Sequence, residues 1–383
     1  MTTTALYYLK QKLKATAAER DRAGGTAFNE RQLIRESGLL KLFLPERFGG
    51  AIADWTLILQ SVRDIASVDS SLAHIFGFQH LILATIQLFG TPAQTERYFA
   101  ETGQDNLFWG NALNPLDTRT LVTKVDERLF INGHKSFCSG ARDSDRLLIS
   151  ALNEEGRLLV AVLPSKREGI SIHDDWDNIG QRQTDSGSVV FNQVELFEDE
   201  ILSTPGPLGS TFASLRPLIA QLSFCNIYLG IALGALEEAV VFTKTQGRPW
   251  FSSGVQEIEK DPYILRRYGE LGAEVRAAVA LTDNAALKLQ AAWELGDNLT
   301  PEERGQCALD IAAAKVITSQ TGLQVSTKIF DVMGARATTA SLRLDRYWRN
   351  VRVHTLHDPV DYKLRDLGDW VLNQHLPTPT FYS

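Results

Sequence analysis

The sequence predicts a mainly α protein with a central antiparallel β domain, and three observations carry that prediction. Apolar residues recur at helical spacing from Leu6 to about Gly90. Near Asn106 the texture changes to short β-branched runs separated by turn residues. After Pro217 the helical spacing returns and persists almost to the end. The divisions that follow are an N-terminal helical domain over 1–106, a middle β domain over 107–212 and a C-terminal helical bundle over 213–383.

Each element has its local signal. The opening helices are punctuated by Gly24-Gly25, by the turn from Pro45 to Gly50, and by Asp69-Ser70-Ser71. That last triplet caps a helix carrying His74, Phe78 and His80. His74 and Phe78 are four apart and share a face, whereas His80 points elsewhere. On this segment alone His74 reads as a core histidine. In the β region Ile131-Asn132-Gly133-His134-Lys135 predicts a hairpin turn, because Asn-Gly accepts positive φ at little cost. Further helices are predicted over 218–246, 261–296 and 301–333, the third with Thr300 as N-cap and Pro301 at its first position. Small residues between Gly230 and Ala239 permit close helix packing.

Composition narrows the function. The chain has 383 residues, with 39 Lys and Arg against 46 Asp and Glu, a net charge of −7 that supplies no basic field for nucleic acid. Cys138, Cys225 and Cys307 are far apart and lack metal-site spacing, which suits a reducing cytoplasm. The charged N-terminus reads as neither a signal peptide nor a membrane span. A cytoplasmic enzyme without a metal is the expectation.

The densest chemistry lies between Arg343 and Gly368. His354 and His357, three apart, would share one side of a helical turn. Asp358-Pro359 then breaks the helix, which resumes with Pro359 in the first turn of the next. Two histidines at such a break suit proton transfer near neutral pH, and equally suit a simple helix cap.

The stretches Gly133 to Ala141, Asn178 to Val189 and Phe330 to Ala335, in this order before Arg346 to Arg352, resemble the acyl-CoA dehydrogenase superfamily. The resemblance spans essentially the whole chain. It implies an N-terminal helical domain, a middle β domain, a C-terminal four-helix bundle, and a flavin between sheet and bundle. By resemblance Asn111 contacts the flavin ring, with Asn114 second to it, and Phe137 packs on the isoalloxazine. Ser139 lies at flavin N5, Arg182 and Ser186 lie by the phosphate or ribityl chain, and Arg248 reaches the flavin phosphate of a neighbouring subunit in a homotetramer.

Two branches differ at the C-terminal turn. A dehydrogenase would use Asp358 as catalytic base with FAD, but an aspartate followed by proline departs from its usual Tyr-Glu-Gly turn. Leu356-His357-Asp358-Pro359, with Ser70 to Phe78 and Thr243 to Trp250, looks instead like the flavin-dependent monooxygenases typified by dibenzothiophene monooxygenase. That branch takes reduced flavin, FMN ahead of FAD, from a separate flavin reductase. It binds O2 and oxygenates through a C4a-hydroperoxyflavin. The resemblance implies His357 as proton donor, His74 as its helper and Ser139 as hydrogen-bond partner, with His354 and Arg336 behind them. Phe76, Phe78 and Trp176 would wall a dry pocket for a small hydrophobic, organosulfur substrate.

Overall fold

In a computed structural model, which describes residues 2–383, the predicted order of helices, sheet and helices is observed. The first group is α1 (Thr2–Ala23), α2 (Phe28–Glu36), α3 (Trp55–Ala66), α4 (Ser70–Phe89) and α5 (Pro92–Asp105). Asp69 caps α4 by accepting from the Leu72 amide. Nearly every residue of α4 is buried, so the helix runs through the interior.

Seven strands follow: β1 (Trp109–Ala112), β2 (Thr120–Val125), β3 (Arg128–Lys135), β4 (Arg146–Leu152), β5 (Leu158–Pro164), β6 (Ile170–Ile172) and β7 (Val189–Leu196). Most pairings are antiparallel, but β4 runs parallel to β1 and, at its own end, to the start of β2, so the sheet is mixed. The long connection from β1 to β4 permits this, since parallel neighbours need a crossover. The expected Asn132-Gly133 turn lies instead inside β3, at a register shift opposite β7. The β2–β3 turn is made by Asp126 and Glu127, both at positive φ. Gly133 has φ +124°, and a Cβ there would lie 2.0 Å from the Arg119 carbonyl oxygen. Glycine answers to a crowded bulge here, not to a hairpin.

The chain then forms α6 (Leu215–Gln246), α7 (Pro262–Leu295), α8 (Pro301–Met333), α9 (Arg346–His354) and α10 (Asp361–Asn373). The helices α6, α7 and α8 pack on one another, with α10 against α8. Thr300 and Glu303 close a capping box at the start of α8. On α6, Gly230 and Gly234 admit the carbonyls of Arg63 and Ser67, which a Cβ would meet at 2.4 and 1.9 Å. Close contact with α3 follows. Both α4 and α6 are long and apolar enough to cross a membrane, yet 94% of each apolar window is buried in this core. Pro359 precedes α10 rather than occupying its first turn.

One core runs through the N-terminal helices and the bundle, and a smaller one fills the sheet. Gln79 on α4 ties the helices to the entry of β1 by accepting from the Trp109 amide and donating to the Leu107 carbonyl. A cavity opens where the two bodies meet.

Candidate active site

That cavity, of about 710 Å³, is bounded by α4, the β1 and β3 ends, the 176–186 loop, α6, the turn after α9 and the C-terminal tail. Backbone hydrogen bonds hold its β wall together. The Asn111 amide donates to Ser139, the Cys138 amide to Gly187, and the Gly140 amide to Thr184. Beneath the 114–117 loop, the buried Lys135 ammonium donates to the Asn114 and Asp117 carbonyls.

A chain of hydrogen bonds crosses the helical wall into this β wall. His354 Nε2 lies 2.8 Å from His74 Nδ1, and His74 Nε2 lies 3.0 Å from Ser139 Oγ. Ser139 Oγ meets Ser186 Oγ at 2.7 Å, and Ser186 donates to Thr184 Oγ1, which donates to the Gln181 carbonyl. Donor counting then orients the bonds from Ser186 back to His354. Ser186 spends its hydrogen on Thr184, so Ser139 donates to Ser186 and accepts from His74 Nε2–H. Neutral His74 therefore accepts at Nδ1 from His354 Nε2–H. The Tyr228 hydroxyl ends the chain, 3.0 Å from the His354 carbonyl and 3.3 Å from its Nδ1.

Burial sets the charge states. It lowers His74 to about 3, helped by His357, and holds His354 well below the usual histidine range, helped by His74 and His357. Both are neutral at neutral pH. His357 is different: it lies past the end of α9, with 41% of its side chain exposed and Nδ1 3.0 Å from Asp358 Oδ1. His354 and His357 do not share a helical face, since α9 ends at His354. They converge on Phe224, whose ring centre is 4.9 Å from one imidazole and 4.5 Å from the other. Phe78 stacks on His74 at 4.2 Å.

Asp358 is committed elsewhere. Its carboxylate pairs with buried Lys315 at 3.3 Å and points to a neighbouring cavity rather than this one. Burial pushes its pKa up, but His357 and Lys315 outweigh burial and hold it well below the usual carboxylate range. Asp117 is the one carboxylate among the described lining residues, and two Arg119 contacts at 2.7 and 2.6 Å occupy it.

Of the residues singled out in the sequence, His74, His354, His357, Ser139, Ser186, Asn111, Asn114, Phe78, Phe137 and Trp176 all line the cavity. Phe76 does not. It is fully buried against His80, about 200° around α4 from the wall that Phe78 forms. Arg182 also turns away: left-handed Gln181 and Asp185 bracket its single turn, and its guanidinium donates to the Asp21 and Arg22 carbonyls. Arg248 is exposed beyond α6, and Arg336 donates to the Gln246 carbonyl there, outside the cavity. The sequence reading missed Tyr228, Phe224 and Arg216. Their signal was a stripe at 216, 220, 224 and 228, four apart, on a helix too uniformly apolar to reveal a face.

The wall fits a reduced flavin. Asn111 Oδ1 is buried without a donor, the need an imide N–H would meet. Ser139 keeps a second lone pair for another N–H. Phe137, at φ +61° and 60% exposed, and Trp176, edge-to-face with it at 5.9 Å, offer apolar surface to a flat ring.

Fold and site together define a flavoprotein with a protected histidine-lined chamber. The N-terminal, middle and C-terminal domains of acyl-CoA dehydrogenases match residues 1–104, 109–194 and 222–362. The probable FMNH2-dependent monooxygenase SfnC of Pseudomonas putida is 53% identical over 370 residues, 96% of this chain and 94% of that protein. Methanesulfinate monooxygenase MsuC from Pseudomonas fluorescens superposes with a TM-score of 0.98 at 53% identity, covering 99% of both chains. TdsC from Paenibacillus sp. A11-2, in a complex with FMN and indole, superposes at 0.96 with 40% identity over the full length of both. The chain belongs to the acyl-CoA dehydrogenase family, in its branch of flavin-dependent monooxygenases.

Proposed function

We propose that this protein is the oxygenase of a two-component system, taking reduced FMN from a separate flavin reductase in the cytoplasm. One observation carries the reading. Where a dehydrogenase of this fold needs a free carboxylate, the cavity presents two neutral histidines, a serine and the more accessible His357, while Asp358 is tied to Lys315. When bound, reduced FMN supplies two electrons to O2, so that one oxygen atom goes to an organosulfur substrate and the other to water. The chain's residues do the rest. Asn111 and Ser139 hold the ring edge, and Phe137 and Trp176 cover it. His357 delivers the proton that oxygen reduction requires. His74 and His354, kept uncharged, fix the Ser139 hydroxyl and bring no stray proton into the chamber. Arg248, beside exposed Trp250 and Phe251, is the residue for a neighbour's flavin in a homotetramer.

The test supplies the protein with FMN, NADH, a flavin reductase and ¹⁸O2, and screens methanesulfinate, dibenzothiophene and indole by mass spectrometry. One ¹⁸O atom per product molecule is expected. If no substrate gains label while an acyl-CoA bleaches bound FAD, the dehydrogenase reading takes its place.

A further inference from the structure

Each turnover that begins from anionic reduced FMN takes up one hydrogen ion, so His357 must be charged again after it delivers its proton. The chamber's own groups do not serve. His74 and His354 are kept neutral by burial, and Asp117, the one carboxylate among the described lining residues, is occupied by Arg119. With flavin and substrate in the chamber, water reaches His357 from its other side. There a second cavity, of about 450 Å³, meets the first at His357, Leu116 and Tyr382.

The carboxylates of this second cavity are taken. Asp358 is bound by Lys315 and His357, Asp366 by Arg365 at 2.7 Å, and Asp369 by Asn373 at 2.7 Å and His375 at 3.3 Å. The buried cation that lines it is Lys363, on α10 and 5% exposed. Among the described residues its ammonium has one hydrogen-bond partner, the Tyr382 carbonyl, and no carboxylate in ion-pair contact; Asp358 and Asp366 act on its charge from farther off. Two of its three N–H groups are thereby left for water, in a cavity wide enough to hold several molecules. Burial, and Lys315 after it, lower the pKa, so this ammonium gives up a proton more readily than an ordinary lysine does.

We propose that Lys363 is the proton source that recharges His357 through this second cavity. This rests on the oxygenase reading and adds to it the route by which the proton arrives. Asp358 accepts from His357 Nδ1–H, so Nε2 is the nitrogen that gives and regains a proton. In the recharging step a Lys363 N–H bond breaks, water in the cavity passes the proton on, and an N–H bond forms at His357 Nε2. The amine left on Lys363 takes a proton back from solvent at the cavity mouth, where the His375 side chain is 70% exposed. Lys363 lies outside the chamber lining, so it acts through His357 and does not meet the reacting atoms.

The competing role is an anchor for the Tyr382 carbonyl. Lys363→Arg separates the two, because arginine keeps the charge and the donor but does not deprotonate. The full chain, with reduced FMN in excess, is mixed with ¹⁸O2 and substrate and followed through its first and later turnovers. In Lys363→Arg one product per chain is expected at the wild-type rate, from His357 already charged. Later turnovers then slow by about 10²-fold, with FMN affinity and KM unchanged, and concentrated imidazole buffer restores them. Wild type shows no such break. A second measurement needs no flavin. By ¹³C-lysine NMR of the flavin-free protein, two lysines should titrate below the ordinary value of about 10.4: Lys363, and Lys135, which burial lowers to about 8. Lys363→Arg removes one of them. Full-rate later turnovers in the arginine variant overturn the proposal. So does a wild type with a single depressed lysine, which decides the matter even if the variant fails to fold. A wild type that incorporates no ¹⁸O overturns the oxygenase reading and takes this proposal with it, whereas an active wild type matched by its arginine variant overturns this proposal alone.

Discussion

His357 and Asp358 are adjacent in sequence, yet burial and partners give them opposite tasks. With His357 half-exposed at the chamber and the other two histidines held neutral, proton delivery falls to His357. His357→Ala should therefore lower product formation by at least ~10²-fold, the scale of general acid catalysis, with FMN affinity unchanged. Full activity in that variant would remove the assignment. Asp358 is a structural charge, since Lys315 is enclosed between it and the rings of Phe224 and Tyr228. Asp358→Ala leaves a buried ammonium uncompensated and should cost about 3–5 kcal/mol by denaturant titration, while folded enzyme keeps oxygenase activity within a few-fold. A stable variant devoid of activity would return Asp358 to the chemistry. Single residues were legible where type and spacing coincided. The i, i+4 pair His74 and Phe78 lands in the chamber, whereas Phe76, only two residues from each, does not. Arg216 was hidden because its place in the chamber wall exists only in three dimensions.

At the scale of elements, helices were easier to read than strand pairings. Caps at Asp69 and Thr300 and the apolar spacing are local signals, and the helices begin where those signals stand. Strand partners are chosen by residues far away. Asn132-Gly133 has the composition of a hairpin turn, but the β2–β3 register places it inside a strand. The two roles predict different mutants. In a free turn Gly133→Ala costs only local strain, but here its Cβ would strike the Arg119 backbone, which has no room to yield. Gly133→Ala should destabilise by well over 1 kcal/mol in chemical unfolding, and by more than Gly156→Ala, where φ is +73° and nothing lies within 4 Å. Equal losses at both positions would show that the bulge is not crowded.

Across the whole molecule, the order of helices, sheet and helices followed from changing periodicity, while the chamber did not, because it exists only between the two cores. Assembly is a property of this scale too. Arg248, Arg336 and the exposed Trp250-Phe251 pair lie outside the chamber of their own chain, which is why the homotetramer is proposed. Light scattering should return four times the 42.5 kDa chain, and Trp250→Ser with Phe251→Ser should lower that mass; a monomeric wild type would end the proposal. Stability against pH tests the buried histidines together. His74 and His80 are depressed to about 3 and His354 well below its usual range, each chiefly by burial. Above the unfolded value near 6.5 they are neutral in both states and contribute no slope. Below it the unfolded chain takes up protons that the folded chain refuses, so stability falls with falling pH, by about 1.4 kcal/mol per histidine per pH unit. Three such groups predict a loss approaching ~4 kcal/mol per unit just below that range, down toward the folded values. His80, outside the chamber, allows the effect to be separated from flavin binding. Thermal unfolding between pH 7.5 and 5 should show Tm dropping steeply below about 6.5, with the slope reduced by about a third in His80→Leu. A flat Tm across that range would mean that these histidines ionise inside the fold, and the neutral relay from Tyr228 to Ser139 would have to be redrawn.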